Sequence, residues 1–179
     1  ILFAATGEEA SSRGPRKKIS SFLIDKGTPG FAVHPGYRSV SHRGYHNCIL
    51  EFSSCRIPQS QLLGEEHQGF AVANDWLGAT RLQVAAMCLG RAYRAFNIAT
   101  DWAASRKQFG QFIGRFQGVG FKLAEMKMRL EAAELLTLKA AWKTDQETAT
   151  DTDYAMAKLY STEMLAFVSD EAIQIHGGM

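Results

Sequence analysis

The rhythm of apolar and polar positions changes once along this chain. Up to about residue 60 the apolar residues come in short runs: Ile1–Thr6, Ile19–Asp25, Phe31–His34 and Cys48–Phe52. Partial alternation within the runs, with Gly, Pro or Asn between them, predicts four short strands joined by turns. Such a β-meander needs further strands or a helical layer to cover its apolar face. From Gly69 the spacing becomes three or four. Phe70, Ala73, Leu77, Arg81, Val84 and Cys88 follow it, as do Ala92, Ala95, Phe96, Ala99 and Ala103, which predicts one long helix. A second helix is expected from about Phe121 to Thr144, with Leu123, Met126, Leu130, Ala133, Leu138 and Ala141 on one face. The stretch 144–153 is polar, and within it Thr150 or Asp151 is able to cap a third helix that ends near His176 and Gly177.

Proline use agrees with that division. All four prolines (Pro15, Pro29, Pro35, Pro58) lie in the first 58 residues. At average usage about six would fall in the remainder, and proline breaks helices. The expected fold class is therefore α+β and mainly helical.

Composition narrows the function. The 179 residues are 46% hydrophobic and 21% charged, enough for a real core and unlike a disordered tail. A net charge of +2 lacks the concentrated basic face that nucleic acid requires. The one basic cluster, Arg13 to Lys18, sits among Gly, Pro and Ser and reads as a solvated turn. No stretch approaches the length of apolar residues that spans a membrane. Three cysteines (Cys48, Cys55, Cys88) without a CxxC pair suit free thiols in a reducing compartment, not a disulfide framework or zinc site. The chain starts at Ile1 with no visible signal peptide and looks cut at both ends.

Three places gather residues with chemical capacity. Between the first two helices, residues 105–117 combine Arg106, aromatic residues, amides and the glycines Gly110 and Gly114, with Gly118 just beyond. An arginine clamps phosphate, an aromatic packs on a flat ring, and glycine admits a ligand to the backbone. A dinucleotide fits this set, and so does a plain connection whose phenylalanines fill the core. Walker A and G-x-G-x-x-G loops are both absent. At the end of the chain, Gln174 and His176 stand beside Gly177 and Gly178, either a helix stop or a ligand approach. Third, Arg81 follows Thr80 within an apolar helix, where a lone guanidinium is costly unless paired or facing an anion.

In this order and spacing the motifs resemble the acyl-CoA dehydrogenases. The resemblance spans essentially the whole chain. It is carried by Arg106-x-Gln108-Phe109-Gly110, Ile113-x-x-Phe116-Gln117, Lys122-Leu123-Ala124-Glu125-Met126 and Gln174-Ile175-His176-Gly177-Gly178. The stretch from Val33 to Pro58, Leu62-Leu63-Gly64, Gly69-Phe70 and Thr80-Arg81 support it. The family resemblance implies residues 1–60 as the end of a central β-barrel or meander domain. It implies residues 61–179 as most of an antiparallel four-helix bundle.

It further implies FAD as cofactor. Arg106, Gln108, Phe109, Ile113, Phe116 and Gln117 would hold its adenine-pyrophosphate half, bound mainly by a neighbouring subunit. Gln174, Gly177 and Gly178 would form the other part of that cross-subunit site, and Leu77, Gly78, Thr80 and Arg81 would line the acyl-CoA pocket. The implied reaction is α,β-dehydrogenation of an acyl-CoA thioester, with electrons passed to an electron-transfer flavoprotein. An acyl-CoA oxidase of the same superfamily and a non-catalytic helical module stand as alternatives. The parent would be a dimer or tetramer, cytoplasmic in a bacterium, in the mitochondrial matrix of a eukaryote, and not secreted. Family members place the catalytic carboxylate just before the arginine, where Thr80 stands here, or after the Gly-Gly turn; the base is thus expected beyond Met179, and the chain alone is expected to be inactive. One departure is that His42-Arg43-Gly44-Tyr45-His46-Asn47 replaces the Arg-x-Ser-x-Thr pattern of short- and medium-chain members.

Overall fold

The computed structural model describes residues 1–40 and 43–178, so His42 and Met179 lie outside the described residues. The chain forms two compact units, Ile1–Asp75 and Trp76–Met179.

The first unit carries strands β1 (Leu2–Glu9), β2 (Arg16–Phe22), β3 (Phe31–Pro35), β4 (Cys48–Phe52) and the short β5 (Leu62–Leu63). They do not form the single meander expected from sequence. β1, β2 and β5 make one antiparallel sheet in that order, β3 and β4 pair as a separate ribbon, and no closed barrel appears among the described residues. β2 takes its second neighbour from residues 62–63 instead of from β3. The basic cluster is partly a strand: Arg16 faces Glu9 and Lys17 faces Glu8 across β1 and β2, offsetting charge. Phe31 stacks on Phe52 in the ribbon, ring centroids 5.0 Å apart. Ser20 and Ser21 are buried and hydrogen-bonded. Ser20 Oγ accepts the His67 backbone N–H, and Ser21 Oγ donates to the Leu63 carbonyl.

Helix α1 (Gly69–Ser105) is followed by the two-residue strands β6 (Lys107–Gln108) and β7 (Gln111–Phe112), then by helices α2 (Gln117–Asp145) and α3 (Asp151–His176). The second unit is built on these three helices. Its main core joins Ala92, Ala99 and Ala103 of α1, Met126, Leu130 and Ala133 of α2, and Met164, Val168, Ala172 and Ile175 of α3. Each large apolar side chain buried there contributes about 1.5–3 kcal/mol. Alanine dominates the buried α1 side of this core.

Helix boundaries agree with the sequence rhythm, except that α2 begins at Gln117, ahead of Phe121. Its buried face is Met126, Leu130, Ala133, Thr137 and Ala140; Leu138, expected inside, is exposed. Thr137 takes an inner position because its hydroxyl donates to the Ala133 carbonyl and meets Ser161 Oγ at 3.3 Å. Burial pushes the Cys88 thiol up, keeping it protonated as a small apolar residue. Helix α3 begins with a reciprocal cap: Thr150 Oγ1 accepts the Asp153 N–H and Asp153 Oδ2 accepts the Thr150 N–H. Lys143 Nζ donates to both Asp153 oxygens at 2.9 and 3.0 Å, tying the end of α2 to this cap.

Candidate functional site

At the exit of α1 the Arg106 N–H donates to the Trp102 carbonyl, and the chain reverses through the β6–β7 hairpin. Phe109 and Gly110 form its two-residue turn with φ of 51° and 81°. Two left-handed residues in succession give the turn type that fits the twist of a tight hairpin. Glycine adopts this freely, whereas phenylalanine does so at a cost of about 1–2 kcal/mol. Phe109 is nonetheless 91% exposed at the tip, with its ring edge-on to Phe116 at 6.2 Å. The Ile113 N–H donates to the Arg106 carbonyl at 2.9 Å and closes the hairpin base. Gly114 lies so close to α1 that a Cβ there would meet the Ala103 carbonyl oxygen at 3.0 Å.

Helix α2 starts at Gln117 with no side-chain cap and no acidic residue in its first turn. Gly118 and Gly120 leave that turn open to approach. Unsatisfied N–H groups and the positive end of the helix dipole favour an anion there. Thus Arg106, Gln108, Phe109, Ile113, Phe116 and Gln117 converge on one end of the three-helix unit.

The end of α3 joins them. Trp102 stacks on His176 at 5.5 Å and 16°, while the Arg106 guanidinium carbon lies 5.7 Å from the same indole centroid. Arg106 and His176, which flank the two expected parts of the cofactor site, thus meet at one indole of the same chain. Gly177 closes α3 with φ 66° and ψ −152°, a conformation essentially confined to glycine, and Gln174 and Gly178 are exposed beside it. A shallow groove of about 390 Å³ runs between α1 and α3, floored by Ala95, Ile98, Ala172 and Ile173 and ended by His176 and Gly177.

The other candidate residues lie at the opposite end. Gly78 is buried under the ring of Tyr154, and its missing Cβ would fall 2.9 Å from Tyr154 Cε2. Arg81 Nη1 meets Asp151 Oδ1 at 3.3 Å, which supplies the partner an arginine in this helix needs. The Thr80 hydroxyl donates to the Trp76 carbonyl at 3.1 Å, and Leu77 is half-buried nearby. Ser105 lies 24 residue steps beyond Arg81 in continuous helix, about 36 Å at the usual rise per residue. Sequence reasoning missed Trp102, Asp151 as a partner, and Tyr154. Of these only Trp102 carried a signal, four residues before Arg106 on the same helical face. Among the described residues no group of three His, Cys, Asp or Glu side chains could hold a metal ion, and no helix is long and apolar enough to cross a membrane.

Residues 67–179 match the family model described as acyl-CoA dehydrogenase, C-terminal domain. The human mitochondrial short-chain specific acyl-CoA dehydrogenase is 37% identical over 179 residues, covering 100% of this chain and 42% of that protein. Butyryl-CoA dehydrogenase from Megasphaera elsdenii superposes with a TM-score of 0.88 at 36% identity, covering 98% of this chain and 45% of that one. An FAD complex of PigA superposes with a TM-score of 0.89 at 34% identity, again covering 98% and 45%. This chain thus spans less than half the length of the relatives it matches. With the motifs, the three-helix unit and these likenesses in agreement, the chain belongs to the acyl-CoA dehydrogenase family.

Proposed function

We propose that this chain is part of an FAD-dependent acyl-CoA dehydrogenase that binds the cofactor at one end of its helical unit and the acyl-CoA at the other. The observation that carries this reading is the separation of the two ends. About 36 Å of helix lies between Arg81 and the hairpin, farther than one bound FAD reaches. Each end therefore serves a different active centre, and a complete centre takes its two ends from two copies of the chain. The protein is accordingly a homo-oligomer, a dimer or a tetramer.

The donor set fits a dinucleotide. Arg106 and the uncapped start of α2 present positive charge and N–H groups to a pyrophosphate. Phe109 offers a flat face, and the apolar groove ended by His176 and Gly177 accommodates an adenine. FAD supplies the two-electron acceptor for the hydride that leaves the substrate β-carbon. The chain's own residues bind and orient. Leu77, Gly78, Thr80 and Arg81 line the acyl-thioester end, and Arg81 sets its charge environment. The α-proton goes to a carboxylate, and Thr80 cannot take that part, since its hydroxyl has no accessible basic form near neutral pH. The base comes from elsewhere in the full-length protein, so residues 1–179 alone do not turn over.

The short-chain and butyryl-CoA relatives make butyryl-CoA the first substrate to try. An electron-transfer flavoprotein is the proposed acceptor, and the compartment is the bacterial cytoplasm or the mitochondrial matrix. The test is full-length protein purified with its flavin. Anaerobic butyryl-CoA should bleach the flavin absorbance, and Arg106→Ala should lower FAD affinity ten- to a hundred-fold, the loss of a charge-assisted contact. Colourless protein, or unchanged FAD affinity in Arg106→Ala, would overturn the reading.

A further inference from the structure

We propose that Trp102 is the positioning residue of the cofactor end, a platform that fixes both Arg106 and His176; this rests on the FAD reading above. Three observations meet at its ring. Trp102 packs against the buried cluster formed by α1, α2 and α3, so the indole is held by the core while one part of it reaches the surface. The Arg106 guanidinium lies over it at 5.7 Å, within the range of cation–π attraction. Among the described residues Arg106 has no carboxylate partner, so the indole orients the guanidinium without neutralising it.

The third observation is the His176 ring. It is stacked nearly parallel on the indole and pinned from the other side, because its Nδ1 lies 2.7 Å from the Ala172 carbonyl oxygen. A carbonyl only accepts, so Nδ1 carries the proton and donates, leaving Nε2 as the second functional nitrogen. Residues 70 positions apart in sequence are thereby set by one side chain. An exposed arginine on a free stem would sample many rotamers and lose that freedom on binding. A stacked one has already lost part of it. Pre-orientation of this kind should appear as FAD affinity.

The experiment is titration of apoprotein, prepared from the full-length parent, with FAD, read by quenching of flavin fluorescence. Trp102→Met keeps apolar bulk but no π face, and should weaken binding about ten-fold, within the range of a partly desolvated cation–π contact. Trp102→Tyr keeps a face and should stay within about three-fold. The double variant Trp102→Met/Arg106→Ala should bind less weakly than the product of the single losses, because the indole acts through the arginine. If Trp102→Met does not fold, Trp102→Leu, likewise without a π face, takes its place in the same cycle. Unchanged affinity in the Met variant, losses that multiply, or losses that simply follow the melting temperature would overturn the proposal. Wild-type protein that binds no FAD would overturn the cofactor reading and this inference with it. Wild-type binding with indifferent Trp102 variants would overturn the inference alone.

Discussion

Gly78 of α1 and Tyr154 of α3 are fitted to each other: a Cβ on the glycine would lie 2.9 Å from Cε2 and 3.1 Å from Cδ2 of the ring. The Tyr154 hydroxyl is held at 3.0 Å from Thr144 Oγ1, which itself donates to the Ala140 carbonyl. Thr144 therefore accepts, and Tyr154 donates. The glycine serves the contact between helices, because the bundle needs a bare backbone there.

A substitution pair should change sign accordingly. Gly78→Ala gains about 1 kcal/mol of helix propensity but overpacks the contact by about 1–3 kcal/mol, for a net loss. In a Tyr154→Leu background the same substitution should stabilise, by about 0.5–1 kcal/mol. Denaturant unfolding of the four proteins checks this. Equal effects of Gly78→Ala in both backgrounds would show that the ring is not what excludes the methyl group.

The Asp153 carboxyl is held well below the usual carboxylate range, first by Lys143 and then by the Thr150 hydroxyl and N–H. A depressed folded value means stability that is whole above the unfolded pKa of about 3.9 and lost as pH falls toward the folded one. Melting temperature should therefore drop on acidification below about pH 4. Lys143→Met should flatten that drop, and Thr150→Ala should cost about 1 kcal/mol at neutral pH.

Tyr93 donates to Glu134 across α1 and α2, and that bond, with burial and the glutamate's charge, pushes its hydroxyl up to about 12. Here the sign is opposite. The contribution is whole below the unfolded pKa of about 10 and is lost as pH rises through about 12. Ultraviolet titration of the five tyrosines in this sequence should show one late ionisation, which Glu134→Gln moves back toward 10. Five transitions already grouped near 10 would contradict the bond.

Thr80→Ala should leave FAD bound and most dehydrogenation intact, since its hydroxyl is spent on its own helix. A general base contributes at least about a hundred-fold. A loss of that size in α-proton exchange, with the fold preserved, would place the base at Thr80 after all.

Helix α2 also carries Phe121, Met128, Leu135 and Trp142 at intervals of seven residues, all largely exposed. A seam with that repeat suits another helix. Leu135→Arg should shift the sedimentation coefficient of the full-length protein toward a smaller species. Unchanged sedimentation would remove this stripe from the interface.

Helix periodicity made α1, α2 and α3 legible before any coordinates, because 3.6-residue patterning is local. The cap at Thr150 was legible for the same reason. Strand pairing was not: β2 chooses residues 62–63 over its sequence neighbour, a decision made by long-range packing. The motif at 106–117 showed which residues gather, but not that Trp102 would tie Arg106 to His176. Nor did any local pattern show that Gly78, expected at the acyl-CoA pocket, would also pack under Tyr154, a ring 76 positions later.

The alanine-rich seam of the bundle bears on inherited variation. Ala92, Ala99 and Ala133 are fully buried, and Ala103 nearly so, where α1, α2 and α3 meet. One base change turns an alanine codon into valine or threonine, swaps that substitution tables score as mild. At these positions each adds volume to a packed core, and threonine adds a hydroxyl as well, at about 1–3 kcal/mol. Against a total stability of about 5–15 kcal/mol, such a change would lower the amount of folded protein without touching a single site residue. Missense harm in this chain should therefore cluster on its smallest side chains.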